Sequence, residues 1–239
     1  MESTPAAATS QPSSLRFWYG ASIAEFITSS AEKIVGRLTI NSSFDVDRAQ
    51  AAAWLVEIEF LQSELKDLTG SVFLEFNIPR MGRRIDVVLV IGPVIFAIEF
   101  KVGGKTFDRS AIDQVWDYGL DLKNFHEASH DVSIIPILIA TEATQCPPFE
   151  LLVDDDKLYR PIIVDPTRFR SVLDTSLASF SGVPVDAKEW SRASYHPRPT
   201  IIEAARALYA RHSVEAIDRF DAAAAESECY FTTPRGNRR

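Results

Sequence analysis

Residues 82–101, GRRIDVVLVIGPVIFAIEFK, decide the fold. Two runs of apolar, largely β-branched residues flank Gly92-Pro93, a pair that reads as the turn of a hairpin. With that turn at the centre, residues whose numbers sum to 185 face each other, and Asp86 lies directly across from Glu99. Side chains alternate between the faces of a strand, so both acids share one face with Lys101, two residues beyond Glu99 and opposite Arg84. Facing carboxylates repel, and burying either one unpaired costs more. An edge hairpin with solvated charges is the competing reading, but residues 87–91 and 94–98 are too apolar for an exposed strand. A divalent cation between the acids resolves the conflict, since Mg²⁺ takes oxygen ligands from one or two carboxylates plus water and phosphate. The ammonium of Lys101 beside that ion orients a water or steadies developing negative charge.

Working outward, Asp45 or Asp47 caps a long helix reaching about residue 67. Its buried stripe is Trp54, Ile58, Leu61, Leu65 and Leu68, with Glu57 beside the stripe on the same side. Residues 17–19 begin ordered structure ahead of that helix, and short helical patterns cover 22–28 and 31–40. Residues 71–78 read as a strand, with Val72, Leu74, Phe76 and Ile78 on one face and Phe73 and Glu75 on the other. Pro79 stops it, and residues 80–84 make a basic bend into the hairpin. After the hairpin, Gly103-Gly104-Lys105 lacks the GxxxxGK(S/T) pattern and reads as a turn, with Lys105 a phosphate contact. Asp108 caps a helix over about 109–128, packed through Ile112, Val115, Trp116, Gly119, Leu122 and Phe125. Gln114 and Tyr118, four apart, are neighbours on one side of it. The apolar run 134–140 suits a central strand covered on both faces. Residues 158–164 read as a last short strand that Pro161 puts at an edge or start, 166–180 as a helix, and 200–210 with 213–225 as a helical pair.

The 239 residues allow one good core, or one core plus an appendage. No apolar run approaches the ~18 residues of a membrane span, and no secretory pattern opens the chain. Cys146 and Cys229 lack metal-ligand spacing, so a reduced cytoplasm is expected. His126 and His130, one helical turn apart with no third ligand evident, are assigned to the helix surface. A net charge of −8 argues against broad adhesion to nucleic acid, although Arg80, Arg83, Arg84, Lys101 and Lys105 form a local basic patch. The expected organisation is a disordered tail over 1–14, a catalytic-type domain over 15–180, a helical extension over 181–225 and a flexible basic tail over 226–239.

An Asp on one strand, a turn, and Glu-x-Lys on the next is the signature of the PD-(D/E)XK nucleases; here it is Asp86 and then Glu99-Phe100-Lys101, with Ile85 in place of the family's proline. The order helix, strand, hairpin, helix, strand resembles that family's restriction-endonuclease-like α/β core. It implies a mixed central sheet of 4–5 strands flanked by helices, with extra helices at the C-terminus. Gln114-x-x-x-Tyr118 is similar to the QxxxY element of RecB-type members, and Glu57 to the acid many members contribute from the first core helix; Glu75 is an alternative if its face points at the acids. Stretches such as LEFNIPRMGRRIDVVLVIG and FDRSAIDQVWDYGLDLKNFHEASHD look like the nuclease-like N-terminal region of bacterial Schlafen-like helicase proteins, over about residues 15–220. No helicase P-loop follows, so the resemblance implies a nuclease module standing alone or a truncated or split relative without its motor.

The resemblance implies Mg²⁺ or Mn²⁺ held by Asp86, Glu99, the Phe100 carbonyl and Glu57, with Lys101 and Gln114 completing the catalytic set. Arg83, Arg84, Lys105 and Tyr118 would contact nucleic acid, DNA more than RNA. A homodimer or a separate helicase subunit is an implied partner, and phage defence or DNA processing an implied setting. The alternative is a catalytically silent module that binds nucleic acid for a separate helicase.

Overall fold

The apolar runs on either side of Gly92-Pro93 pair in the register that the turn requires. In the computed structural model, which describes residues 16–203, 206, 208 and 209, β3 (Arg83–Ile91) and β4 (Val94–Lys101) are antiparallel, with Ile91 opposite Val94 and Val87 opposite Ile98. Gly92 takes a φ of +56°, a left-handed conformation that costs glycine nothing. β2 (Ser71–Ile78) pairs with β3 on the other side, and β1 (Tyr19–Ser22) pairs with β2. β5 (Ser133–Ala140) and β6 (Ile162–Val164) continue the sheet in parallel, giving the order β1-β2-β3-β4-β5-β6. The protein is therefore α/β with a mixed six-stranded sheet, one strand more than the 4–5 expected. The extra strand, β1, is four residues including a glycine and a serine, too short for a period-two apolar pattern. Gly20 lets it pass beneath two rings, since a Cβ there would lie 2.6 Å from Phe17 and 2.9 Å from Phe73.

Helices cover both faces. On one side lie α1 (Ile23–Thr28), α2 (Ala31–Asn41), α3 (Arg48–Glu64) and α5 (Pro166–Ser179), each burying apolar residues against Val87, Leu89, Phe96 and Ile98. On the other, α4 (Arg109–Phe125) and α6 (Ala187–Arg192) pack against Val88, Val90, Ile95 and Ala97. Asp47 caps α3 by accepting from the Gln50 amide at 2.8 Å. Asp108 takes the cap position of α4 but makes no side-chain cap bond. α4 ends three residues short of expectation, at Phe125, and a 3₁₀ turn, Glu127–Ser129, follows. Among the described residues no helix is long and apolar enough to cross a membrane.

Two sequence expectations fail here. β2 does not alternate evenly: Val72 and Leu74 face the α3 side, whereas Phe73, Phe76 and Ile78 face the α4 side. Its partner changes phase at the same place, Val87 facing α3 and Ile85 facing α4. The pair between, Glu75 and Asp86, is missing from the ladder, and Glu75 has a φ of +54°. For an L-residue that conformation costs roughly 1–2 kcal/mol. The second correction concerns His126, which is fully buried rather than on a helix surface. The helix has ended, and the ring sits among Phe76, Trp190 and Tyr195 with Nδ1 2.7 Å from Ser129 Oγ. Burial, then the charge of Arg16, pushes its pKa down to about 3.

The chain divides into two units, residues 1–196 and 197–239. In the first, Trp190 of α6 is part of the α4-side core. Of the second, residues 199–203 are helical. The tail 1–14, the helix expected over 213–225, the tail 226–239 and Cys229 lie outside the described residues.

α4 seats closely on β5 at Gly119, where a Cβ would stand 2.8 Å from Pro136 and 2.9 Å from Leu158. Gly119→Val is expected to lower stability by roughly 1–3 kcal/mol, read as a fall in the urea midpoint at unchanged slope; an unchanged midpoint would show that the contact is not tight.

Candidate functional site

The acids of the hairpin meet where the ladder runs out. Paired residues end at Val87 and Ile98, and beyond them Asp86 Oδ2 accepts a hydrogen bond from the Phe100 amide at 2.8 Å. Asp86 and Glu99 are close enough to hydrogen-bond each other, which requires a proton on one of them. Glu57, buried on α3 one turn beyond Trp54, feels Glu75 and Glu99 and in turn acts on Asp86. Four carboxylates from four elements thus converge, and Glu75 is among them because the phase break at its own position turns it there.

Each acid is handled differently. Glu75 is held on both oxygens, by Trp54 Nε1 at 2.7 Å and by Arg84 Nε at 2.9 Å. The Arg84 guanidinium lies 4.1 Å from the Trp18 ring centre and 5.3 Å from that of Phe44. Glu99 Oε1 accepts from Lys101 Nζ at 2.7 Å and from Gln114 Nε2 at 2.9 Å, and Gln114 Oε1 lies 3.4 Å from Lys101 Nζ. Gln114 Nε2 also reaches the Tyr118 hydroxyl at 2.6 Å. Glu99 Oε2 is buried and has no partner.

Electrostatics follow from that crowding. Burial, then Glu75 and Glu99, push Glu57 up to about 8. Burial, then Glu99 and Glu57, raise Asp86 well above the usual carboxylate range against the pull of the Phe100 amide. Glu99 is raised by burial while Lys101 pulls it back. Tyr118 is raised by burial and then by Glu99, so its hydroxyl stays protonated.

The cluster suits an oxygen-seeking cation in its chemistry. An orphaned buried carboxylate oxygen beside acids that retain protons is what Mg²⁺ or Mn²⁺ relieves, because metal binding displaces protons from its ligands. Asp86, Glu99 and Glu57 would hold it, with the Phe100 carbonyl adjoining. As they stand, the side chains are not drawn together for coordination: among the described residues no group of three or more His, Cys, Asp or Glu could hold a metal ion.

Of the ten residues singled out from sequence, Asp86, Glu99, Lys101, Gln114, Tyr118 and Glu57 come together, and the Phe100 amide joins them. Arg83 is exposed on the rim of a cleft of about 570 Å³ that Lys101 and Gln114 also line. Arg84 is committed to Glu75, and buried Tyr118 acts through Gln114. Lys105 stands apart, 3.6 Å from Glu142 in an exposed pair of little energetic weight. Trp54, Trp18 and Phe44 were not legible as site residues. Trp54 read as part of a buried helix stripe and Trp18 as the start of ordered structure, and only the fold shows what the three orient. Comparisons with protein-family models, with curated proteins and with solved structures give no match.

The raised pKa of Glu57 carries a sign. Between its ordinary unfolded value near 4.5 and about 8, the folded chain keeps a proton that the unfolded chain has lost. Stability without divalent ions therefore falls as pH rises through that window, by at most about 1.4 kcal/mol per pH unit from this group. Glu57→Gln is expected to flatten the fall and to be more stable than the parent at pH 8 by ~1–3 kcal/mol. Urea titrations at several pH values check this; parallel pH profiles for the two proteins would remove Glu57 from the cluster.

Proposed function

We propose that this chain is a metal-dependent nuclease that hydrolyses phosphodiester bonds in nucleic acid, DNA in preference to RNA. The observation that carries this reading is the arrangement on Glu99. Lys101 and Gln114 are fixed on one oxygen, the other oxygen is buried and unpartnered, and Asp86 is within hydrogen-bonding reach. Lys101 and Gln114, both bound to Glu99, line a cleft with Arg83 at its rim and Asp108, Asp113 and Asp117 also in its wall. The amine and the guanidinium, with a divalent ion at the buried acids, suit a phosphodiester better than an uncharged substrate. Kinship with the PD-(D/E)XK nucleases belongs to the same proposal, supported by the element order and the mixed sheet.

When bound, Mg²⁺ or Mn²⁺ would supply a water of lowered pKa and polarise the scissile phosphate. Asp86 and Glu99 hold the ion in this reading, with Glu57 and the Phe100 carbonyl completing its ligands. Lys101, anchored by Glu99 and Gln114, keeps an ammonium where the nucleophile is oriented or the added negative charge balanced. Gln114 fixes the rotamers of Lys101 and Glu99, and Tyr118 fixes Gln114. Arg83 takes a flanking phosphate. A cytoplasmic setting, phage defence or DNA processing, and a homodimer or separate helicase as partner extend the proposal and share its fate.

A second reading has one observation in its favour. Asp86 and Glu99 lie within hydrogen-bonding reach of each other, and among the described residues no three acids form a ligand group. That suits a silent module that binds nucleic acid for a separate helicase.

The purified chain, offered linear, nicked and single-stranded DNA and RNA, is expected to cleave with Mg²⁺ or Mn²⁺ and to stop in EDTA. Asp86→Ala and Lys101→Ala are each expected to lower the rate by at least about 10²-fold with folding retained. Binding without cleavage in either metal overturns the nuclease and leaves the second reading.

A further inference from the structure

Trp116 packs by part of its ring against the α4-side core, but differs from the other tryptophans in lacking an aromatic, cationic or hydrogen-bonding partner among the described residues. Trp18 packs on Trp54, Phe44 and Arg84, Trp54 also donates to Glu75, and Trp190 stacks on Phe76 and donates to Ser129. Trp116, half-buried on α4, meets no aromatic ring or guanidinium among the described residues, and its indole N–H has no partner there. Large aromatic side chains carrying a polar N–H are ordinarily buried with that group satisfied. An indole left accessible offers its face and its N–H to something else.

Two clefts share Trp116 as a wall. One, of about 340 Å³, is bounded by Arg109, Arg160 and Pro161, and the other, of about 210 Å³, by Leu120, Asn124 and Leu158. Arg109 is tied to Asp113 at 3.0 Å, whereas Arg160 has no carboxylate partner among the described residues. Asp154 also lines the larger cleft, so its two guanidiniums and two carboxylates balance. A free nucleotide with several phosphate charges would find too little positive charge there. A single phosphodiester, with one charge, can meet Arg160 while its base lies on the indole. Stacking on an aromatic platform next to a cation is how proteins hold single-stranded nucleic acid without reading its sequence.

Placement supplies the second argument. Asp113 lines both the Trp116 cleft and the cleft beside Lys101 and Gln114. The two clefts are therefore the two shoulders of the N-terminal half of α4, separated by one ridge. Asp113 on that ridge is masked by Arg109, which lowers the electrostatic cost of a strand crossing it.

We propose that the Trp116 cleft is a subsite for single-stranded nucleic acid: one base stacks on the indole, its phosphodiester meets Arg160, and the strand passes over Asp113 to the cleft at Lys101. This rests on the reading of the chain as acting on nucleic acid, but not on its being able to cut.

The test is the affinity of the full chain for a fluorescein-labelled oligothymidylate, measured by anisotropy in Ca²⁺ over a range of salt, with cleavage in Mg²⁺ assayed separately. Trp116→Ala is expected to weaken binding about tenfold, as loss of one base–aromatic stack does, and Trp116→Phe to restore most of it. Arg160→Ala is expected to reduce the salt slope by about one. Should Trp116→Ala fail to fold by circular dichroism, Trp116→Phe and Arg160→Ala decide, together with photocrosslinking of an iodouracil-substituted strand to Trp116 in the parent. Unchanged affinity and salt slope in these variants overturn the subsite, as does a parent chain that binds no oligonucleotide. A chain that binds through Trp116 yet cuts in no metal keeps the subsite and loses the nuclease. A chain that cuts while both variants bind as the parent does keeps the nuclease and loses the subsite.

Discussion

Glu57, Glu75, Asp86 and Glu99 come from α3, β2, β3 and β4 and are all at least half-buried at one end of the sheet. Like charges removed from water must be paired or discharged, and this requirement shapes everything near them. Glu75 is paired, by an arginine laid on two aromatic rings and by an indole N–H. Glu99 is paired on one oxygen only. Glu57 is discharged, its pKa pushed up to about 8, and burial with the neighbouring acids raises Asp86 well above the usual carboxylate range. The sheet itself yields to the same demand, since β2 and β3 turn over together where Glu75 and Asp86 would have faced each other in the ladder.

That arrangement ties distant parts of the chain to one place. Trp18 and Phe44, before the first long helix, cover Arg84; Arg84 orients Glu75; Trp54, one turn from Glu57, binds the other oxygen of Glu75. From the opposite face, Tyr118 holds Gln114, which holds Lys101 and Glu99. Side chains whose rotamers are locked by such supporting bonds keep a site pre-organised.

Much of this was legible in the chain. The tight turn at Gly92-Pro93 fixed the pairing of β3 with β4, because a short loop leaves no freedom of register. Four-residue spacing made Gln114 and Tyr118 neighbours, and helical periodicity put Glu57 beside Trp54 and Leu61. The rest turned on features that local pattern does not carry. The turnover at Glu75 needs a left-handed residue without glycine or asparagine to announce it. Arg84 read as a free cation because Glu75 lies 9 residues back on another strand and the rings of Trp18 and Phe44 lie in segments far away along the chain. His126 read as helical because four-residue spacing to His130 assumes a helix that in fact ends at Phe125. β1 exists only because β2 offers it an edge and Gly20 a close approach.

The connectivity of the sheet has a consequence for how the molecule acquires its structure. β2, β3 and β4 follow one another directly in the chain, whereas β5 joins β4 only after the α4 crossover. Short loops close at lower entropic cost than long ones, so the meander is the natural folding nucleus. Its formation brings Asp86 to Glu99 before α3 and α4 have docked. The repulsion is therefore already present in the transition state, and mild acid should quicken refolding itself in addition to slowing the unfolding of the finished protein.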